Sequence, residues 1–370
     1  MFSKDKKKVF LHAYMAGNLG DDLMVRILCE RYPNTEFLLY ADSSYKERYR
    51  DLKNVKVYSP EDKISRMVNW LTEKIKKTDN GMWKLMVKRS ECTVHIGGSV
   101  FVQHADDFKP AYDVDYDLRA RSKKLYVVGA NFGPFTHQAY FDAYQELLKK
   151  YDGICFRDKY SKNMFEDYEN IKYAPDVVFN YTMPTGKESK KQVLFSVISM
   201  EDRGGKYSIS QYAEEYYSMI AKMAEYYAEK GYCVKFVSFC KLQKDEEAIE
   251  SILSRMDEQY KDSVSKLYYD KDEKIIIQAF AESELIVGTR FHSIILGWLA
   301  GKKVLPIVYD DKIIHVLEDN NYDFYIKMNE IIGQNIEEWS EKLIKYEGFY
   351  PEKLVQEASE QFIWLDELLG

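Results

Sequence analysis

The stretch Glu284–Lys312, ELIVGTRFHSIILGWLAGKKVLPIVYDDK, decides the fold. A short apolar run, Leu285 to Val287, ends at Gly288 and Thr-Arg-Phe-His; an apolar helix, Ser293 to Ala300, follows at once, and a second apolar run, Val304 to Val308, completes the unit. This is the strand–helix–strand pattern of a parallel α/β sheet, whose ligands gather beyond the carboxyl ends of the strands. Arg290 and His292 stand at such an end, and Lys312 follows the next strand.

The same alternation extends in both directions. Strands are expected at Val9–Tyr14, Glu36–Tyr40, Val55–Tyr58, Thr93–Ile96, Leu125–Val128 and Gly153–Phe156, and in a second series at Val193–Ser199, Cys233–Ser238, Leu285–Val287 and Val304–Val308. Between the series, Tyr181–Lys191 (YTMPTGKESKK) is rich in Pro, Gly, Ser and charge and reads as a linker. Residues 1–185 and 186–345 are therefore expected to form two Rossmann-like domains, with 346–370 a C-terminal helix packing back on the body. A helix is expected over Ser210–Lys230, opened by a Ser208/Gln211 capping box and stopped at Gly231. Asn335, with Glu338 three residues on, opens another, and Pro351 breaks the helical C-terminal region in two.

Composition narrows the function. With 46% hydrophobic residues, 31% charged residues and a net charge of -7, the chain is not a general nucleic-acid binder. Its five cysteines are scattered without metal-ligand spacing, so free, mostly buried thiols are expected, with no metal site and no disulfide framework. The opening MFSKDKKKVFLHAY lacks the apolar core of a secretory signal, and Ile294–Ala300 is too short to span a bilayer, which together predict a cytoplasmic protein.

Four loops after first-series strands carry candidate chemistry. AGNLGDDLM places Gly17, Asn18 and Gly20 in a turn before a helix that begins near Asp21 and Asp22; it suits either a plain turn or an acceptor hydroxyl held by Asn18 or an aspartate. Gly97 and Gly98, and then the GANFGP segment with Asn131, fit close approach of a ligand or tight strand–helix packing equally well. In ICFRDKYSKNMF, Arg157 follows a strand, with Ser161 one turn into the next helix, and a guanidinium held there can grip a carboxylate or phosphate with its planar fork. His292, near a helix N-terminus whose field disfavours imidazolium, is the candidate acid/base. Arg157, Arg290 and Lys312 together suit a small, multiply charged anion.

Taken in order, GNLGDD, GGSVF, GANFGP, RDKYS, PDVVF and GTRFHSIILGWLAGKKVLPIVYDDK resemble the polysaccharide pyruvyl transferase family over about Val9 to Lys312. The resemblance implies a GT-B-like α/β architecture, two facing Rossmann-type domains with a cleft between them. It also implies transfer of pyruvate from phosphoenolpyruvate, as donor substrate, to a saccharide acceptor as a ketal, with no cofactor. On this reading Arg157, Arg290, Lys312 and Ser161 bind the donor. His292 is the catalytic acid/base and Asp21 or Asp22 a second candidate, while Gly17, Asn18, Gly20, Gly97, Gly98 and Asn131 belong to the acceptor side and its loops. Gly97-Gly98-Ser99 departs from the third glycine of many relatives, and Asp22 stands where Glu is usual.

Two segments stay open. KISRMVNWLTEKIKK sets Ile64, Met67, Val68, Leu71 and Ile75 on one helical face beside basic residues, as a packed surface helix or as a contact with the inner membrane face carrying a lipid-linked acceptor. MEDRGGKYS, with Arg203 and Lys206, is either a loop that closes on the donor or a solvated connection. The competing functions are a GT-B glycosyltransferase using a nucleotide sugar and a non-catalytic ligand-binding member of a polysaccharide assembly system.

Overall fold

The computed structural model describes residues 6–76, 80–185, 188–201 and 207–370. Its contacts gather the chain into two units. The first holds the chain up to Met15, Asp21–Val177 and Glu357–Gly370; the second holds Ala16–Gly20 and Val178–Gln356.

The first unit is built on seven parallel strands: β1 (Lys8–Ala13), β2 (Glu36–Tyr40), β3 (Val55–Tyr58), β4 (Cys92–Ile96), β5 (Leu125–Ala130), β6 (Gly153–Phe156) and β7 (Ile171–Tyr173), ordered β3-β2-β1-β4-β5-β6-β7. The strand order reverses direction between β1 and β4, the switch point at which loops diverge and leave room for a ligand. Strands β4, β5 and β6 are buried along their whole length, which is why they read as apolar runs rather than as an alternation.

The second unit has six parallel strands: β8 (Gln192–Ser196), β9 (Cys233–Ser238), β10 (Val264–Tyr268), β11 (Leu285–Gly288), β12 (Lys303–Val308) and β13 (Ile326–Lys327), ordered β10-β9-β8-β11-β12-β13. Its switch point lies between β8 and β11. Three strands escape the sequence reading: β7, β10 and β13 are edge strands, short or half-exposed, and carry no continuous apolar run.

The helix expected over Ser210–Lys230 is helical from Ala213 to Glu229 and buries Tyr216, Ile220, Met223 and Tyr227. Its expected capping box does not form: the Ser208 hydroxyl instead meets Ser210, and a 3-10 turn, Ser210–Tyr212, leads in. Gly231 does take the left-handed stop, at φ 77°. Asn335 caps Ile336–Lys345 by accepting the Glu338 amide at 3.1 Å. Beyond Pro351 the chain forms Glu352–Glu357, a 3-10 turn and Ile363–Leu369.

Gln361 ties the segment beyond Glu357 into the first sheet. At Gly129 the β5–β6 register shifts and φ is 75°, so its amide leaves the ladder. Gln361, 1% exposed, accepts that amide at 2.8 Å and donates to the Phe156 and Ala174 carbonyls at 3.3 and 2.7 Å. Gln361→Ala orphans the buried Gly129 amide and removes two donors, and should lower stability by about 2 kcal/mol in urea unfolding.

Cys29, Cys92, Cys155 and Cys240 are buried free thiols, whereas Cys233, at the start of β9, is exposed. No described helix is long and apolar enough to cross a membrane. Among the described residues no cluster of His, Cys, Asp or Glu could hold a metal ion. Residues 202–206 of MEDRGGKYS and 186–187 of the linker lie outside the described residues.

Candidate functional site

In the second unit, the residues singled out from the sequence converge around the ends of β9 and β11. Arg290 precedes the helix Phe291–Leu299 and is 6% exposed. Its Nε donates to Asp245 Oδ2 at 3.0 Å, one terminal nitrogen donates to Asp245 Oδ1, and the other donates to Gln243 Oε1. Three of the five guanidinium N–H groups are taken in this way. Burial works against the charge of Arg290, but Asp245 outweighs it and the guanidinium is held protonated. Asp245, fully buried, also accepts the Phe239 and Cys240 amides, each at 3.0 Å, so one carboxylate fixes both the end of β9 and the arginine.

The Ala16–Gly20 loop is stitched to the same strand end. Asn18 bridges Cys240, the Leu19 amide donates to the Phe239 carbonyl at 3.0 Å, and Asn18 Oδ1 accepts the Gly20 amide at 3.0 Å. Gly17 makes the turn at φ 66°. Gly20 lies flat on the His292 imidazole: a Cβ placed there would stand 1.8 Å from Nδ1. His292, the second residue of its helix and 8% exposed, therefore has its ring position set by the absence of a side chain at residue 20. Lys312 extends from the helix that follows β12, its ammonium 3.0 Å from Asp310 and over the Tyr309 ring.

The first unit carries a separate constellation at the ends of β4, β5 and β6. Arg157, 4% exposed, donates to Asp176 at 3.0 Å and to Asn131 Oδ1 at 2.8 Å. Asn131 in turn donates to the Gly133 carbonyl at 2.9 Å, and its amide reaches the Gly98 carbonyl at 2.8 Å. Gly98 packs against the guanidinium, since a Cβ there would lie 2.4 Å from an Arg157 nitrogen, while Gly97 turns the chain at φ 152°. A side chain at 98 would therefore displace the guanidinium.

Two of the expected site residues have their polar groups engaged within the fold. Ser161 is 1% exposed, and its hydroxyl accepts the Phe132 amide at 2.7 Å and bonds Asp158, which caps the following helix. It orders the loop. Asp22 is 3% exposed and ion-paired with Arg48, with the Tyr49 hydroxyl at 3.4 Å, so it holds the helix Leu19–Arg31 to its neighbour. Asp21 sits half-buried in the first turn of that helix.

Near the β1–β4 switch point lies a group the sequence did not flag. His12 and His95 rings meet edge to face at 4.6 Å, His95 Nδ1 is 3.7 Å from Asp115, and the Tyr144 hydroxyl donates to Asp115 at 2.7 Å. Burial pushes the Asp115 carboxyl up to about 7 from an ordinary 3.8, against the downward pull of Tyr144, and pushes His12 down to about 4. A carboxyl whose folded value is raised favours folding below 3.8 and loses that contribution as pH climbs to about 7. Taken alone, the Asp115 contribution should fall by up to about 1.4 kcal/mol per pH unit across that window, while the lowered His12 and His95 contribute the opposite slope as pH rises toward 6.5. Asp115→Asn should remove this component of the slope, as measured by urea unfolding at successive pH values.

Asp245, Gln243 and Asp176 are the partners that sequence reasoning missed. Asp176 lay inside the quoted PDVVF motif, whereas Asp245 looked like an ordinary acidic residue in the first turn of the helix Asp245–Leu253.

Solved structures share this fold. The chain resembles a UDP-N-acetylglucosamine 2-epimerase from Methanocaldococcus jannaschii at 10% identity and TM-score 0.56, covering 98% of this chain and 99% of that one. It is equally similar to S. aureus MnaA solved with UDP, at 12% identity and TM-score 0.56 over 98% and 95% of the two chains. For a putative UDP-N-acetylglucosamine 2-epimerase of Listeria monocytogenes the values are 13% and 0.54, over 98% and 95%. At these identities the likeness shows the fold alone, two parallel-sheet α/β units of the GT-B type. No curated protein matches the sequence significantly. The family model for polysaccharide pyruvyl transferase matches residues 18–311, a span that runs from the Asn18 loop through Arg157, Arg290 and His292 to the residue before Lys312. With most of its length matched and the motif residues gathered at strand ends, the chain belongs to the polysaccharide pyruvyl transferase family, and thereby to the transferases of polysaccharide biosynthesis.

Proposed function

We propose that this protein transfers pyruvate from phosphoenolpyruvate to two hydroxyls of a saccharide, forming a cyclic ketal and releasing phosphate. The observation that supports it best is the Arg290–His292 pair, a buried, fixed cation and a ring held in place by Gly20, within the span of the family match. Arg290 keeps two N–H groups with no partner among the described residues, enough for one bidentate contact to a carboxylate or phosphate. Lys312 supplies a second cation, and Arg157 is the corresponding cation of the first unit, proposed as the acceptor side.

In the reaction, a proton added to the donor's methylene carbon makes a methyl group and leaves oxocarbenium character at C2. One sugar hydroxyl forms the first C–O bond there, phosphate departs with its bridging oxygen, and a second hydroxyl closes the ring. Of the two hydroxyl protons released, one balances the proton taken up by carbon and the other leaves with phosphate. His292 is proposed as the group that delivers and recovers protons, and the cations stabilise the leaving phosphate. Asp21 is the remaining carboxylate candidate for the acceptor hydroxyl. No metal or cofactor is invoked.

Calorimetric titration with phosphoenolpyruvate beside UDP tests the donor. Binding of phosphoenolpyruvate with no heat from UDP is expected. Binding of UDP alone would replace this reading with a nucleotide-sugar glycosyltransferase.

A further inference from the structure

The helix Lys63–Lys76 turns its small polar residues Ser65, Asn69 and Thr72 inward and most of its apolar residues outward. On the inner face Ser65 is fully buried, Asn69 accepts the Met82 amide at 2.8 Å and donates to the Tyr40 hydroxyl at 3.1 Å, and Thr72 packs on Gly81. On the outer face Ile64, Met67, Trp70, Leu71 and Ile75 are each at least 39% exposed. A surface helix of a soluble domain normally has the opposite polarity.

Charge accompanies the apolar stripe. Lys63, Arg66 and Lys74 lie exposed among these residues with Glu73 the one exposed carboxylate of the helix, and the neighbouring helix Gly81–Arg89 ends in exposed Lys88 and Arg89. These exposed cations outnumber the helix's one carboxylate in a chain whose net charge is -7, so the local balance runs against the overall one. A helix with bulky apolar residues and a tryptophan, edged by lysine and arginine, has the chemistry of the bilayer interface. The apolar side chains enter the acyl boundary while the cations meet lipid phosphates and anionic headgroups. A second copy is a poorer occupant, because a two-fold contact would set this cationic face against itself.

We infer that the outer face of Lys63–Lys76 docks the first unit on a bilayer surface containing anionic lipid. The inference does not rest on the donor reading, and its failure leaves that reading untouched. Full-length protein should float with phosphatidylcholine vesicles containing about 30% phosphatidylglycerol and bind pure phosphatidylcholine far less, with binding reduced at high salt. Met67→Glu combined with Trp70→Glu should cut the floated fraction at least ten-fold. Because both side chains are exposed, the thermal transition and phosphoenolpyruvate binding should not move. Absence of flotation by the wild type would overturn the inference, as would equal flotation of the double variant. So would a wild-type dimer that the double variant dissolves without any vesicle binding.

Discussion

If His292 is the acid/base proposed above, Gly20→Ala should lower turnover by about 100-fold while leaving the protein folded, because misplacing a catalytic group by about 1 Å costs about that much. The added methyl would occupy space within 1.8 Å of His292 Nδ1 and 2.4 Å of its ring carbon, so the imidazole must leave its position. The backbone at residue 20 is not in the left-handed region that would penalise alanine, and alanine favours the helix that starts there. The damage should therefore be local. A double-mutant cycle makes the route explicit: on a His292→Ala background, Gly20→Ala should cost nothing further, since the clash partner is gone. Phosphate release from phosphoenolpyruvate in the presence of a competent acceptor is the readout, with thermal unfolding run in parallel. An additive loss in the double variant would show that Gly20 acts through something other than the histidine.

That relationship could not be read from the sequence, and it marks where sequence reasoning stops. Apolar runs such as VLF at Val193–Phe195 and ICF at Ile154–Phe156 are long enough and buried enough to announce central strands, and two series of them announce two parallel sheets. The edge strands β7, β10 and β13 lack that signature because water covers part of each. The candidate positions were legible: Arg157, Arg290 and His292 follow strands whose burial is plain from composition. Their partners were not. Asp245 is 45 residues from Arg290 along the chain, and only the β9–β8–β11 order brings them together. Ser161 and Asp22 show the converse: polar residues near a strand end whose groups are engaged in loop order or an ion pair, which the sequence did not announce. The Ser208 capping box failed for a related reason: the spacing was present, but the serine met Ser210 and the helix began later, behind a 3-10 turn.

Arg290→Ala should abolish phosphoenolpyruvate binding and also destabilise the protein by about 3–5 kcal/mol, the usual cost of stripping one partner from a buried ion pair. Asp245 is fully buried, and without the guanidinium its charge would rest on the Phe239 and Cys240 amides and the helix N-terminus it begins. The single substitution therefore confounds folding with ligand contact, and loss of binding in it proves little. Arg290→Gln combined with Asp245→Asn removes both charges at once and should recover most of the lost stability, since replacing a whole buried pair is far less damaging than breaking it. The two readouts then separate. If chemical denaturation shows a near-normal midpoint while calorimetry still detects no phosphoenolpyruvate, the guanidinium touches the donor. If binding returns with stability, Arg290 serves only to anchor the end of β9, and the donor's charges must be met by Lys312 and other cations. The first outcome is expected, because among the described residues the guanidinium leaves two N–H groups beyond those given to Asp245 and Gln243.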